Sequence, residues 1–337
     1  MVKLGVYKPE QFFASPPENW LSYLYYRLSR GRVSLCLLES VKGPAEASVF
    51  ERLMPRVQLS NGVYRTTFRR RFRNLDPVVN GVLTKHFSSS DNVVIQDWAA
   101  SACLTSAEWA ESLFPLFPRM QFEASDLMLF LIAARDKQSG EVFVAEQDGR
   151  PVQYVRPPFV IRMDPPEPWL LFVNRIGYLW ARSRWRKARR LWPLPDAWLE
   201  HPHCEDSLEW EGYEVRKLSL IHPSALALAR TDARFSISRH SIFERATAPC
   251  HVIRSMNILN RAYFSEQQLA QAARNVIQSL HAGGIWIVGR TTSEDPPVHD
   301  VTIFGKKTSG GLEAIEHIGS GSGIDSIALM ADQGSNR

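Results

Sequence analysis

The pattern that most limits the fold begins at Asn92, where short apolar runs start to alternate with segments of helical periodicity. Each run has the length and composition of a buried strand, and each intervening segment repeats its apolar residues at helical spacing. The predicted strands are 92–96, 120–124, 213–221, 234–239, 250–255 and 285–288, and the predicted helices are 106–114, 223–230 and 265–280. Gly283 and Gly284 are expected to end the last helix.

Strands that alternate with helices through short connections predict the α/β class, with a doubly wound, mostly parallel, seven-stranded sheet of Rossmann-like type. The segments 300–306 and 312–318 predict a terminal antiparallel hairpin on that sheet. The predicted domain covers 91–337, and it includes a hairpin over 141–155 that turns at Asp148 and Gly149.

Two stretches do not follow this pattern. Residues 1–90 read as a helical N-terminal region, with one helix over 20–28 and another that starts at Asp76 and Pro77 and runs through His86. Residues 156–211 are rich in proline, tryptophan and arginine and are expected to interrupt the Rossmann-like domain as an insert.

The first strand of the predicted sheet ends at Asp97, and a loop of small residues leads from it into a helix. The alternate positions after it are Ala99, Ser101 and Cys103, so we expect close approach to a ligand without left-handed backbone freedom. In doubly wound sheets a nucleotide-like ligand lies at this turn. Farther along, Thr105 and Glu108 fit a helix capping box, which leaves ligand contact by the Glu108 carboxylate open.

Polar residues also follow two other predicted strands. Asp126 ends the second strand, where a carboxylate suits a pair of ribose hydroxyls; the alternative is a surface aspartate that caps the next helix. Asn257 and Asn260 follow the strand over 250–255, where they either face the ligand crevice or turn the chain.

Together these segments resemble the class I S-adenosylmethionine-dependent methyltransferases. The stretch 252–290 is most similar to the chemotaxis-receptor methyltransferase branch, whose Arg-Asn-x-x-x-Tyr-Phe element precedes a helix, two glycines and a strand. Asn257, Tyr263 and Phe264 match that element, with two additional residues between them. The resemblance covers about residues 92–135 and 213–325, with His240 or Ser241 in place of the acid of the family's third motif.

The resemblance implies S-adenosyl-L-methionine as cofactor and gives each candidate residue a role. Around the cofactor the expected residues are Asp97, Ala99 and Ser101 at the methionine portion, Asp126 at the ribose, and Ser241 and Ile242 at the adenine. Glu108, Leu127 and Ser255 are also expected to contact the cofactor. On the catalytic and acceptor side they are Asn257, Asn260 and Tyr263, with His240 and His222 as candidates for a general base. No metal is expected.

The leading hypothesis is a methyltransferase that acts on a small-molecule acceptor, because no large separate recognition domain is evident. The rival is a catalytically silent methyltransferase-like module that binds a partner or an anionic membrane. Four widely spaced cysteines, no secretory leader and no transmembrane stretch favour the cytoplasm, with peripheral membrane association left open.

The formal net charge is +5, and the positive charge is concentrated in two places. Residues 65–73 form a basic run that we interpret as a solvated face. The segment 169–192 interleaves aromatic residues with seven cations and contains no acid. The segment has three interpretations. It is an interfacial membrane helix, or a solvated arginine face over a tryptophan-anchored lid, or a nucleic-acid groove, which we weigh below the other two. His201, His203 and Cys204 are spaced poorly for a zinc site.

Overall fold

A computed structural model describes residues 3–15, 19–20, 33–57, 59, 65, 67–163, 172–200 and 207–331. The chain divides into two compact units. Unit 1 comprises Met1–Thr66 and Met128–Pro223, and unit 2 comprises Thr67–Leu127 and Ser224–Arg337. Each unit is therefore built from two separate segments of the chain.

The strands are, in chain order, β1 (Lys3–Leu4), β2 (Val94–Trp98), β3 (Gln121–Asp126), β4 (Phe130–Asp136), β5 (Val142–Ala145), β6 (Pro151–Arg156), β7 (Phe159–Arg162), β8 (Leu208–Trp210), β9 (Tyr213–Ser219), β10 (Phe235–Arg239), β11 (Cys250–Met256), β12 (Leu280–Glu294), β13 (Pro297–Lys306) and β14 (Leu312–Ile318). The α-helices are α1 (Pro9–Phe13), α2 (Ala47–Leu53), α3 (Asp76–His86), α4 (Leu104–Leu113), α5 (Phe172–Ala188), α6 (Asp196–Leu199), α7 (Pro223–Thr231), α8 (Glu266–Ser279) and α9 (Asp325–Met330).

Unit 2 contains the predicted doubly wound sheet. Its seven strands have the order β10-β3-β2-β11-β12-β13-β14. The strands from β10 to β12 are parallel, and β13 and β14 continue the sheet antiparallel. The α/β class, the mostly parallel seven-stranded sheet and the terminal hairpin are thus confirmed.

Helix α8 shows how the sequence builds this unit. Ser265 caps its first turn by accepting the Gln268 N–H, and the buried positions Leu269, Ala272 and Val276 recur at helical spacing. They join Trp98 and strand residues of the sheet in one apolar core. The predicted glycine stop was wrong, because the helix ends at Ser279 and β12 begins at Leu280, with Gly283 inside the strand at a φ of +75°.

Unit 1 contains a second sheet, which the sequence did not reveal. Its seven strands have the order β1-β7-β6-β5-β4-β9-β8, and every neighbouring pair is antiparallel. The hairpin over 141–155 is confirmed as β5 and β6, but both strands belong here. The strand expected over 213–221 is β9, and it pairs with β4 and not with the parallel sheet.

The bounds of the two units differ from the predicted domains. The segment that interrupts unit 2 is Met128–Pro223 and not 156–211, and it belongs to one unit with the N-terminal residues. Within the region predicted as helical, β1 is a strand, and α3 begins and ends where predicted. Most of the helix expected over 20–28 lies outside the described residues. Among the helices that are described, none is both long and apolar enough to cross a bilayer.

Candidate active site

The candidate site lies at the carboxyl edge of the parallel strands of unit 2. From β2 the chain continues to β3 and β10 on one side, and then to β11 on the other side of β2. This reversal of strand order leaves a crevice outside the strand ends, which is where ligands bind in open α/β sheets. Asp97, Asp126, His240 and Asn257 all lie at or just beyond these strand ends.

A buried ion pair joins the two central strands at this point. The Arg254 guanidinium on β11 donates to both carboxylate oxygens of Asp97 on β2, with Nε–Oδ1 at 3.0 Å and Nη2–Oδ2 at 2.5 Å. Arg254 is 1% exposed and also donates to the Thr105 carbonyl at 3.3 Å and to Asp76 Oδ1 at 3.2 Å. One guanidinium therefore connects two strands with the first turns of α3 and α4.

This pair changes the role expected for Asp97. Its carboxylate is 4% exposed and also accepts a hydrogen bond from Ser106 Oγ at 2.6 Å. A carboxylate that is buried against a guanidinium and a hydroxyl positions the following loop and does not extend into the crevice. Arg254 was not among the predicted site residues, because an arginine inside a strand gives no local signal of its distant partner.

The loop after β2 adopts the backbone conformation that its composition argued against. Ala99, Ser101 and Cys103 have φ values of 57°, 54° and 56°, so all three are left-handed although none is glycine. Left-handed backbone costs a residue with a side chain about 1–2 kcal/mol. The expectation of a loop without left-handed residues was wrong, and a strained loop of this kind is typical of functional sites.

Asp126 connects this loop to the second strand. Its Oδ2 accepts the Ser101 N–H at 2.8 Å, and the neighbouring Ala100 N–H donates to the Ser125 carbonyl at 2.9 Å. A carboxylate can accept several hydrogen bonds, which is the chemistry that a ribose diol requires. The side chain of the next residue, Leu127, is 51% exposed and offers an apolar surface beside the carboxylate.

Glu108 does not form the predicted capping box. Helix α4 begins after Cys103, which makes no side-chain cap. Both Glu108 carboxylate oxygens instead accept the Arg70 N–H, at 3.0 and 2.9 Å. Burial raises the pKa of this carboxyl group above its usual value. Glu108 thus fixes the segment before α3.

His240 follows β10 and lies beside Asp126, to whose carbonyl it donates its backbone N–H at 3.2 Å. Its imidazole packs on the Trp98 ring with centroids 4.4 Å apart. Its Nε2 atom is buried and has no hydrogen-bond partner among the described residues. Burial also lowers the pKa of this imidazole, so the neutral form dominates at pH 7.

Three other predicted contacts fall on residues with structural roles. Ile242 is 8% exposed and belongs to the apolar core around α8. Ser255 is fully buried, and its Oγ accepts the Trp286 Nε1–H at 2.9 Å. Ser241 Oγ accepts the Phe243 N–H at 3.2 Å and so shapes the turn after β10. Ile242 and Ser255 therefore face the core rather than the crevice.

The residues expected on the acceptor side lie in the turn after β11. Asn257 has a φ of 62°, and its Oδ1 accepts the Thr291 N–H at 2.6 Å. Asn260 Oδ1 accepts the Ala262 N–H at 2.9 Å. The Asn257 oxygen thus connects the turn to β12, and the Asn260 oxygen bonds within the turn, so both shape the chain here as the alternative expectation had it. Tyr263 is 53% exposed, and its ring centroid lies 6.5 Å from that of Phe264.

His222 is not placed as a general base, because it is fully buried within unit 1. Its Nε2 lies 3.1 Å from Glu51 Oε1, and its ring packs edge-to-face on Phe50. The segment 201–204, which was considered for zinc, lies outside the described residues. Within the described residues no three His, Cys, Asp or Glu side chains are grouped as metal ligands would be.

No family model matches this sequence, and no curated protein matches it. Solved structures do resemble it, at low identity. One is a Methanococcus maripaludis protein described as an S-adenosyl-L-methionine-dependent methyltransferase, with 10% identity, a TM-score of 0.30, and coverage of 74% of this chain and 64% of that one. Another is the sugar N-methyltransferase KedS8 of Streptoalloteichus sp. ATCC 53650, with 10% identity, a TM-score of 0.30, and coverage of 77% and 79%.

A third similar structure is the [4+2]-cyclase SpnF, with 10% identity, a TM-score of 0.27, and coverage of 64% of this chain and 44% of that one. This chain thus spans less than two thirds of the first and third of these structures. The assignment of a function consequently depends on the geometry of the strand ends in unit 2.

Proposed function

We propose that the protein is an S-adenosylmethionine-dependent methyltransferase that acts on a small-molecule acceptor, with its cofactor at the carboxyl edge of unit 2. The observation that carries the proposal is the strained loop between β2 and α4. It lies at the reversal of strand order, it is left-handed at Ala99, Ser101 and Cys103, and it is tied to the Asp126 carboxylate. Holding three residues that carry side chains in this conformation lowers stability, and strained backbone of this kind is concentrated at ligand-binding sites.

The residues at this edge fit the parts of the cofactor. The Asp126 carboxylate accepts hydrogen bonds and suits the ribose hydroxyls, while the exposed Leu127 suits one face of the adenine. The backbone N–H of His240 holds this residue beside Asp126, and its neutral imidazole packs on the Trp98 ring. The small side chains of Ala99 and Ser101 allow the methionine portion to lie close to the backbone.

The bound cofactor supplies an electrophilic methyl group on a positively charged sulfonium. The chain's own contribution is to hold donor and acceptor in line and close together, which is mainly catalysis by proximity. The Asp97 carboxylate offsets the charge of Arg254, so the buried guanidinium need not repel a cation bound at the crevice. An acceptor that arrives protonated needs a base, and His240 is the candidate at this edge.

A small acceptor cannot be inferred from the lack of a separate recognition domain, because unit 1 is a second compact unit. The support is a cluster of rings in the turns after β10 and β11. Phe243 packs edge-to-face on Phe264 at 5.2 Å, and Phe243 and Tyr263 are 37% and 53% exposed. Exposed rings beside a crevice suit an acceptor with an apolar or aromatic body.

A second candidate function is a silent methyltransferase-like binding module. The observation that favours it is the engagement of the Asp97 carboxylate by Arg254, which removes one expected polar contact from the crevice. The two candidates differ in whether the crevice binds the cofactor at all.

Calorimetric titration with S-adenosylmethionine and with its demethylated product separates the two candidates. We expect both to bind, and we expect Asp126→Ala to weaken both by about tenfold or more, since a hydrogen bond to a charged group contributes about 1.5–3 kcal/mol. The matched control is Asp148→Ala, which removes an exposed carboxylate from the hairpin of unit 1.

Circular dichroism verifies that each variant is folded. If neither compound binds at millimolar concentration, the silent module is the correct assignment. If both bind but Asp126→Ala has unchanged affinity, the assignment of the ribose to Asp126 is wrong.

A further inference from the structure

Helix α5 of unit 1 has one face that packs on its own sheet and another that carries cations around two exposed apolar side chains. Its packed face consists of Gly177, Ala181, Trp185 and Ala188, which recur about every four residues. The opposite face carries Ile176 and Leu179, which are 51% and 52% exposed. These two residues lie one turn apart and form a continuous apolar surface.

The cations surround this apolar pair. Six basic residues are exposed along α5 and the turn that follows it: Arg175, Arg182, Arg186, Lys187, Arg189 and Arg190. Helical spacing places Arg175, Arg182 and Arg186 along one side of Leu179, and Lys187 lies on the other side with Ile176. The sequence from 168 to 192 contains no acid.

These cations are not neutralised within the described part of the chain. Arg184, on the inner side, is paired with the buried Glu141 at 2.8 Å. None of the six exposed cations has an ion pair with a described acid, so their charge is available to an external anionic surface.

The tryptophans of this segment decide which anionic surface fits. Trp185 is 5% exposed and packs against Phe143 and Trp192, and Trp180 packs edge-to-face on Tyr154. These ring contacts anchor the helix to unit 1, with Trp185 buried and Trp180 and Trp192 half-buried. Binding to single-stranded nucleic acid relies on exposed rings for base stacking, whereas an anionic bilayer requires exposed aliphatic groups among cations.

We propose that the exposed face of α5 docks on the surface of an anionic phospholipid bilayer, with Ile176 and Leu179 inserted at the acyl boundary and the surrounding cations on the lipid phosphates and carboxylates. The helix lies in the plane of the interface in this arrangement. The proposal does not depend on the proposed methyl transfer, since the surface belongs to unit 1 alone.

Co-sedimentation with vesicles, without cofactor, tests the proposal on the full chain. We expect binding to phosphatidylcholine vesicles that contain phosphatidylserine, no binding to phosphatidylcholine alone, and release in about 1 M salt, where the Debye length falls to about 3 Å. The double variant Arg182→Gln/Arg186→Gln should weaken binding by about tenfold or more. Leu179→Ser should also weaken it, because the apolar contact is lost.

The matched control is Arg245→Gln/Val298→Ser, which removes one exposed cation and one exposed aliphatic side chain from unit 2 and should bind like the wild type. Protein that stays in the supernatant at low salt overturns the proposal, as does equal binding to neutral vesicles. Binding of single-stranded DNA in place of vesicles, unaffected by Leu179→Ser, would assign the face to nucleic acid instead.

Discussion

Asp76, at the start of α3, is the residue of the candidate site whose acidity departs most clearly from normal. Burial raises the pKa of its carboxyl group to about 7, the nearby charges of Asp97 and Glu108 add to the rise, and Arg254 opposes it. Between pH ~4 and 7 the folded chain therefore keeps a proton that the unfolded chain has released. The contribution of Asp76 to the free energy of unfolding consequently decreases as the pH rises through this range.

Asp76→Asn removes this titration while keeping a similar shape. We expect the free energy of unfolding of the variant, relative to the wild type, to be higher at pH 8 than at pH 5. Urea denaturation at both pH values measures the difference, with Asp148→Asn as the exposed control. A difference that is the same at both pH values would show that Asp76 ionises normally in the folded chain.

The sequence predicts the polar residues at the strand ends but not the residues that they contact. Asp97, Asp126 and Asn257 were identified because polar residues after buried strands stand out locally. The contact between Arg254 and Asp97 spans 157 positions, so no local pattern indicates it. Without that partner, the sequence could not show that the Asp97 carboxylate is engaged inside the fold.

The loop between β2 and α4 is the element in which composition and conformation disagree most. None of its three left-handed residues is a glycine. Hydrogen bonds from its backbone to Asp126 and Ser125 hold the strained conformation. Propensity alone predicts a different backbone, and only the tertiary contacts override it.

Ala99→Gly relieves this strain with the smallest change in packing, because it removes one methyl group from a partly exposed residue. We expect the free energy of unfolding to rise by up to about 1 kcal/mol. Glycine removes left-handed strain of about 1–2 kcal/mol, but its greater freedom in the unfolded chain offsets part of that gain. The control Ala270→Gly, inside α8, should lower it by about 1 kcal/mol. Chemical denaturation measures both, and destabilisation of similar size in the two variants would refute the strain at Ala99.

At the scale of the whole molecule, the sequence predicted one of the two sheets. Strand runs such as 141–155 and 213–221 were found, but their pattern does not say which strands they pair with. Alternation of strand and helix suggested a single parallel sheet, whereas β9 pairs antiparallel with β4. Pairing between distant segments depends on tertiary packing, so β1 and the insert could not be joined in one unit from the sequence.

The division into two units has a thermodynamic consequence. Each unit has its own sheet and its own buried side chains, such as Tyr154 in unit 1 and Trp286 in unit 2. Units of this kind can unfold in separate steps, and a ligand stabilises the step that destroys its site. We therefore expect two transitions in scanning calorimetry. S-adenosylhomocysteine should raise the midpoint temperature of only the transition that belongs to unit 2.

The shift should be several degrees, since ligand at about 100 times its Kd contributes about 2.7 kcal/mol. Asp126→Ala at the same ligand concentration should show a smaller shift, whereas Arg182→Gln/Arg186→Gln in unit 1 should show the full one. Hydrogen exchange of β11 and β4 assigns each transition to its unit. A single transition whose calorimetric and van't Hoff enthalpies agree would mean that the units unfold as one cooperative body. An equal shift of both transitions would contradict the placement of the ligand in unit 2 alone.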